Sequence, residues 1–184
     1  MPYPSQIDRD TIISTARQMI EDEGVDNLSL RSLAESLGVK APSLYRYVKN
    51  KTALLRAVND RTTREMMQHL YAAADPTLNT HDRLLAICHT FREFVHDNPA
   101  CYLLSANTPL DETRPDAAER EALVIPLQGI FAEMMPESET LPALRGAYAF
   151  IHGWVMLEIM EQFERGGDLD AHFERALRAY LAGW

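Results

Sequence analysis

The sequence predicts an all-α protein built in two parts, and three observations carry that expectation. Apolar residues recur at helical spacing along nearly the whole chain. Strand signals are almost absent, with few β-branched runs and no hairpin dipeptides between alternating segments. The charge is unevenly placed: the chain totals −9, yet one short N-terminal stretch is strongly positive.

Residues 1–7 contain Pro2 and Pro4 and read as a loose arm. A first helix is expected from Asp8 to Glu23, with Ile12, Ile13, Ala16, Met19 and Ile20 on one face. Gly24 fits its stop. A second helix follows Ser29, a good N-cap, and buries Leu30, Leu33, Ala34 and Leu37. Gly38 supplies a tight turn. Pro42 fits the first turn of a third helix, where a missing N–H costs nothing. Asn50 caps a fourth helix running from Lys51 to about Ala74.

After Asp75-Pro76 the pattern resumes. Residues 81–97 form one helix with Leu84, Leu85, Cys88, Phe91 and Val95 turned inward, and a short helix follows near 99–107. Asp111–Glu121 reads as a loop entering a helix that reaches Met135. Pro136 and Pro142 bracket a turn. A long helix over 142–165 is stopped by Gly166-Gly167, and Asp168 caps a last helix over 169–182. The expected division is 8–58 for the first domain and 59–184 for the second.

Several classes are disfavoured. No charged start is followed by an apolar run, so no signal peptide is expected. The longest apolar stretch, near 147–160, is broken by His152, Gly153 and Glu158 and is too short to span a bilayer. A cytoplasmic protein with no membrane partner is expected. Cys88 and Cys101 lie among apolar neighbours and read as buried thiols. No Ser/His/Asp constellation, phosphate-cradling Gly loop or zinc spacing is found, so neither an enzyme nor a cofactor is expected. His89, Glu93 and His96 share a helix face at a spacing that suits a metal. No further ligand is identifiable nearby, and histidines that are partly buried or facing solvent are the default reading.

Residues 28–56 are the most informative. Six basic residues (Arg31, Lys40, Arg46, Lys49, Lys51 and Arg56) stand against one acid, Glu35. Residues 61–184 carry ten basic residues and nineteen acids. A locally positive module on an acidic body can engage a polyanion at one end only. Leu44 and Val48 are four apart and turn inward together. At helical spacing Arg46 then points outward, with Pro42 and Ser43 near it and Tyr45 and Tyr47 on the flanks. This pattern suits a helix-turn-helix lying in the major groove, with outer residues at base edges and phenols at the phosphates.

The same stretch resembles the tetracycline-repressor (TetR) family of bacterial transcriptional regulators. The resemblance is carried by Gly24, Leu28-Ser29, Leu33-Ala34…Leu37-Gly38-Val39 and Ser43-Leu44-Tyr45-Arg46-Tyr47-Val48-Lys49-Asn50-Lys51…Leu54-Leu55, over about residues 8–58. Phe150-Ile151-His152-Gly153-Trp154 resembles the His-Gly element in the C-terminal domain of one subgroup. The resemblance implies a homodimeric repressor on a pseudo-palindromic DNA operator. Residue by residue, it implies phosphate contacts from Ser29, Tyr45, Tyr47 and Lys51, and base contacts from Lys40, Pro42, Ser43 and Arg46.

The second part is rich in bulky residues, for which a plain core is the bland reading. The resemblance implies instead that Met67, Tyr71, Phe91, Phe94, Tyr102, Phe131, Tyr148 and Trp154 line a pocket for a small, hydrophobic effector. The long helix is apolar nearly all round from Ala147 to Met160, so it needs two burial partners. The second is best explained as another subunit, with Gly146, Ala147 and Gly153 allowing close approach and Phe173, Ala176, Leu177 and Tyr180 completing the interface.

Overall fold

The computed structural model describes residues 7–107 and 117–184. Residues 1–6 of the expected arm, and the first part of the expected Asp111–Glu121 loop, lie outside them. The described residues contain eight α-helices, one 3₁₀ segment and no strand. They divide into two units, 7–64 with 98–107, and 65–97 with 117–184.

In the first unit, α1 (Arg9–Glu23) begins where Asp8 accepts the Thr11 N–H at 2.7 Å. It ends at Gly24, whose N–H still reaches the Ile20 carbonyl and whose φ of 82° then turns the chain out of the helix. α2 (Leu30–Ser36) opens with a reciprocal cap: Ser32 N–H donates to the Ser29 hydroxyl, and Ser29 N–H to the Ser32 hydroxyl, both at 2.9 Å. A 3₁₀ segment (Ala41–Arg46) follows, then α3 (Lys51–Ala73), capped by Asn50 Oδ1 accepting from Ala53 N–H at 2.8 Å. Ile12, Ala16, Ile20, Leu33, Leu44, Leu54 and Val58 meet in the core of this unit.

That core also takes Cys101, which is fully buried, from α5 (Pro99–Asn107). No helix ends at the expected boundary of 58/59. α3 runs unbroken through that position, and α5, distant in sequence, packs on α1.

The second unit holds the end of α3 with α4 (Thr80–Asp97), α6 (Ala117–Phe131), α7 (Glu137–Ile159) and α8 (Leu169–Leu181). α4 turns Leu84, Leu85, Cys88, Phe91, Phe94 and Val95 inward. α7 turns Ala143, Ala147, Ile151 and Val155 inward at a spacing of four. α7 departs from the expected 142–165 at both ends. Pro142 lies inside the helix, beyond its first turn, and forfeits one backbone bond there. At the far end Glu161 adopts a left-handed φ of 54°, its N–H reaches the Glu158 carbonyl, and Gln162 N–H reaches that of Leu157. This pair of bonds is a Schellman stop, made without glycine. Gly166-Gly167 therefore lies in the following connection. α8 starts where Asp168 Oδ1 accepts from Ala171 N–H at 3.0 Å.

One polar cluster ties the second unit together. Arg92 donates from Nε and a terminal nitrogen to Glu158, at 2.9 and 2.8 Å, and from the same terminal nitrogen to Asp170 at 2.7 Å. His96 Nε2 lies 2.9 Å from Glu158 Oε2, the oxygen that also accepts from Arg92 Nε. Burial raises the Glu158 carboxyl, but the bonds from Arg92 and His96 outweigh it and leave it below its ordinary range. No helix among the described residues is long and apolar enough to cross a membrane.

Candidate nucleic-acid interface

The segment expected as a third α-helix is a 3₁₀ turn, and this changes which residues face outward. Ser43 N–H bonds the Lys40 carbonyl at 2.8 Å, and Tyr47 N–H that of Leu44 at 2.9 Å, both three residues back. Its N-cap, Lys40, makes no side-chain cap, and Pro42 contributes no N–H. At three residues per turn, residues i and i+3 eclipse. Leu44 therefore shares its face with Tyr47, while Tyr45 and Arg46 take the two outer edges.

The burial follows this geometry. Leu44 is fully buried and Val48 nearly so, whereas Tyr45 is 57% exposed. Lys40, Pro42, Arg46 and Lys49 are exposed, and Ser43 is half-buried. Tyr47 is half-buried, packs against the core, and donates its hydroxyl to the Ile7 carbonyl at 2.6 Å. The Arg46 guanidinium sits over the Tyr47 ring, 5.6 Å from its centroid. Lys51 spends one of its three donors on the Val25 carbonyl at 2.9 Å, which fixes the ammonium near the start of α3. Ser29 is exposed but its hydroxyl is shared with the Ser32 cap.

Of the expected DNA-facing residues, Lys40, Pro42, Ser43, Tyr45 and Arg46 thus form one outward edge. Ser29, Tyr47 and Lys51 are each held by bonds within the unit. The ties to Ile7 and Val25 span 40 and 26 residues, so no local pattern announces them. Lys49, counted among the basic residues of the sequence but assigned no DNA contact there, extends the exposed basic edge.

Elsewhere the expected groupings are partly regrouped. Met67, Phe91, Phe94 and Phe131 are buried in the second unit, and Tyr71 there donates its hydroxyl to the Leu123 carbonyl. Trp154 is half-buried beside Phe163 and Phe173. Tyr148 is 54% exposed, so it does not line an interior. Tyr102 belongs to the first unit, not to the one that holds the other seven. Ala147, Phe173 and Leu177, expected at a subunit interface, are buried within the chain's own core, while Gly153, Ala176 and Tyr180 are half-buried. His89 and His96 are taken by Glu174 and Glu158, at 2.5 and 2.9 Å. Both thiols are pushed up to about 12, foremost by burial.

A basic edge on a capped, glycine-turned helix pair has the form of the helix-turn-helix of a DNA-binding regulator. Comparison with known proteins agrees. Residues 12–58 match the model of the tetR family of bacterial regulatory proteins, and residues 84–180 match that of the tetracyclin repressor-like C-terminal domain. The chain belongs to the TetR family of transcriptional regulators, and it does so on these two matches rather than on the Phe150–Trp154 element. It is 29% identical to the class A tetracycline repressor from transposon 1721 of Escherichia coli, over 96% of this chain and 81% of that one. An uncharacterised HTH-type transcriptional regulator of Mycobacterium tuberculosis is 27% identical over 98% of this chain and 83% of its own. Among solved structures, a TetR variant from Acinetobacter baumannii AYE in complex with minocycline superposes with a TM-score of 0.72 at 25% identity, covering 97% and 96% of the two chains. A Rhodococcus protein of unknown function shares the fold at a TM-score of 0.83 and 20% identity, covering 100% and 98%.

Proposed function

We propose that this regulator is a homodimeric repressor that leaves a pseudo-palindromic operator when a small hydrophobic molecule enters its second unit. The observation that carries the reading is the outward edge of Lys40, Pro42, Ser43, Tyr45 and Arg46, set on a core of Leu44 and Val48. Arg46 suits a guanine and Tyr45 a phosphate. Ser29, Tyr47 and Lys51 are proposed to flank the phosphates, Lys51 with two ammonium donors left over. In this scheme residues 8–58 read DNA and residues 59–184 hold effector and partner, with α5 added to the reading domain.

The effector reading rests on the second unit's interior, where Met67, Phe91, Phe94 and Phe131 are buried and Tyr71 and His152 supply the polar groups. A relative in complex with minocycline supports a small-molecule effector. The dimer reading rests on α7. Opposite its buried stripe lie Ala149, Gly153, Leu157 and Met160, with Leu157 and Met160 37% and 51% exposed. These replace Ala147 as the proposed contact, and Arg175, Ala179 and Ala182 replace Phe173 and Leu177 on α8. Effector is proposed to shift the dimer between two shapes, moving the reading heads through α3. It can do so only by binding the two shapes unequally.

Selection of duplexes from random DNA by the purified protein, near physiological salt, tests the reading. Enrichment of a two-fold-symmetric site supports a dimeric sequence reader. Binding that is only salt-sensitive, with no enriched site, overturns it.

A further inference from the structure

Tyr47 is fixed at three places within the first unit. Its N–H and that of Val48 both reach the carbonyl of the fully buried Leu44, at 2.9 and 3.0 Å. Its ring packs against the core of the unit. Its hydroxyl donates to the Ile7 carbonyl at 2.6 Å. A tyrosine turns about only two side-chain torsions, and a ring held at its backbone, its body and its tip has neither left free.

This arrangement leaves the hydroxyl little to offer DNA. A phenol carries one proton, and here Ile7 takes it. A phosphate oxygen accepts and does not donate, so a hydrogen bond from Tyr47 to a phosphate would cost the bond to Ile7. The ring is under no such conflict. The Arg46 guanidinium already lies over it, 5.6 Å from the centroid, within the roughly 6 Å over which a ring face attracts a cation.

Arg46 is the residue for which such a seat matters most. Of the exposed basic residues on the outward edge, Lys40, Arg46 and Lys49, it alone among the described residues lies over an aromatic ring. An arginine side chain is long and loses much freedom when it is immobilised at an interface. Its planar fork must also arrive correctly aimed to read the two acceptors of a guanine. The ring attracts the charge without accepting a hydrogen bond from any particular N–H, so the donors of the fork stay available to a base.

We propose that Tyr47 is a positioning residue for base recognition. Its ring, locked by Leu44, the core and Ile7, holds the Arg46 guanidinium at the outer edge before DNA arrives, so part of the ordering that a base contact requires is already done. The inference deepens the regulator reading above and rests on it, since Arg46 must meet a base for its position to matter.

The test uses the full chain, the selected duplex and a set of its single-base variants. Arg46→Ala first marks the base pairs that Arg46 reads. Tyr47→Leu keeps apolar bulk against the core and removes the ring. It should lower discrimination at those same base pairs about two- to tenfold, leave discrimination elsewhere unchanged, and lower it no further in an Arg46→Ala background. Tyr47→Phe keeps the ring and should retain most of the discrimination. A Tyr47 that served only the fold or a phosphate would, on becoming leucine, weaken every duplex equally and leave discrimination intact, and that result overturns the inference. If Tyr47→Leu does not fold, nitrogen relaxation of the Arg46 Nε–H in the DNA-free wild type carries the test. An order parameter above about 0.6 is expected, and one below it overturns the inference. If no duplex is selected, or Arg46→Ala leaves discrimination unchanged, the regulator reading or its assignment of Arg46 fails before Tyr47 is altered, and the inference falls with it.

Discussion

The Tyr47 hydroxyl donates to the Ile7 carbonyl across 2.6 Å, tying the backbone just before α1 to the edge of the DNA-reading segment. Tyr45, two residues earlier, is 57% exposed. The two phenols therefore divide their work. Tyr47→Phe should cost about 0.5–1.5 kcal/mol of stability, visible in urea melts. Tyr45→Phe should leave the melt unchanged and weaken operator binding about equally on every duplex, with the salt slope unchanged because a neutral phenol displaces no counterion.

Arg46 should specify sequence. Arg46→Ala is expected to relax selectivity at one or two base pairs per half-site, at about 1–3 kcal/mol each. Binding measured across a set of single-base operator variants checks this. An equal loss on every duplex would reassign Arg46 to a phosphate.

How far the site was legible in the sequence is clearest at these residues. Leu44 and Val48 were legible as inward because four-residue spacing and apolar character agree. The caps at Ser29, Asn50 and Asp168 were legible because capping is a local signal. The inward turn of Tyr47 was not, because it depends on a 3₁₀ rather than an α pitch, and Pro42 fits the first turn of either. Nor was the Schellman stop at Glu161, since residues that take left-handed φ without glycine carry little sequence signature. Ala147, Phe173 and Leu177 were legible as apolar but not as members of the chain's own core. Periodicity finds a buried face but does not say what covers it.

Removing the Glu158 charge should be costly. Its side chain is 3% exposed and that of Arg92 16%, so Glu158→Ala leaves a largely buried guanidinium short of its main partner. A loss of about 3–5 kcal/mol is expected, read by chemical denaturation.

Acid should destabilise the chain over two separate pH windows. Burial lowers the His152 imidazole below 6.5, so the unfolded chain binds that proton first and stability falls as pH drops through 6.5. For Glu158 and Glu174, burial raises the carboxyls but hydrogen bonds, from Arg92 and His96 and from His89 and Arg178 respectively, lower both below 4.5. Their contribution is complete above that value and is lost as pH falls beneath it. Melting temperature followed from pH 8 to pH 3 should show both slopes, and His152→Asn should remove the upper one.

Gly146 is held to its size by Tyr180. A Cβ there would lie 2.2 Å from the Tyr180 hydroxyl, and that ring is stacked on Phe150 at 5.4 Å. Gly146→Ala should cost about 1–3 kcal/mol. Adding Tyr180→Phe, which deletes the clashing oxygen, should restore most of it in a double-mutant cycle.

The two cysteines sit one in each unit, Cys101 under α1 and Cys88 inside the second core. With thiols pushed up to about 12, neither reacts until its surroundings open. Each is thus a native stopwatch for its half of the chain. Timed alkylation, resolved by peptide, would report how often each half breathes, and whether they breathe together.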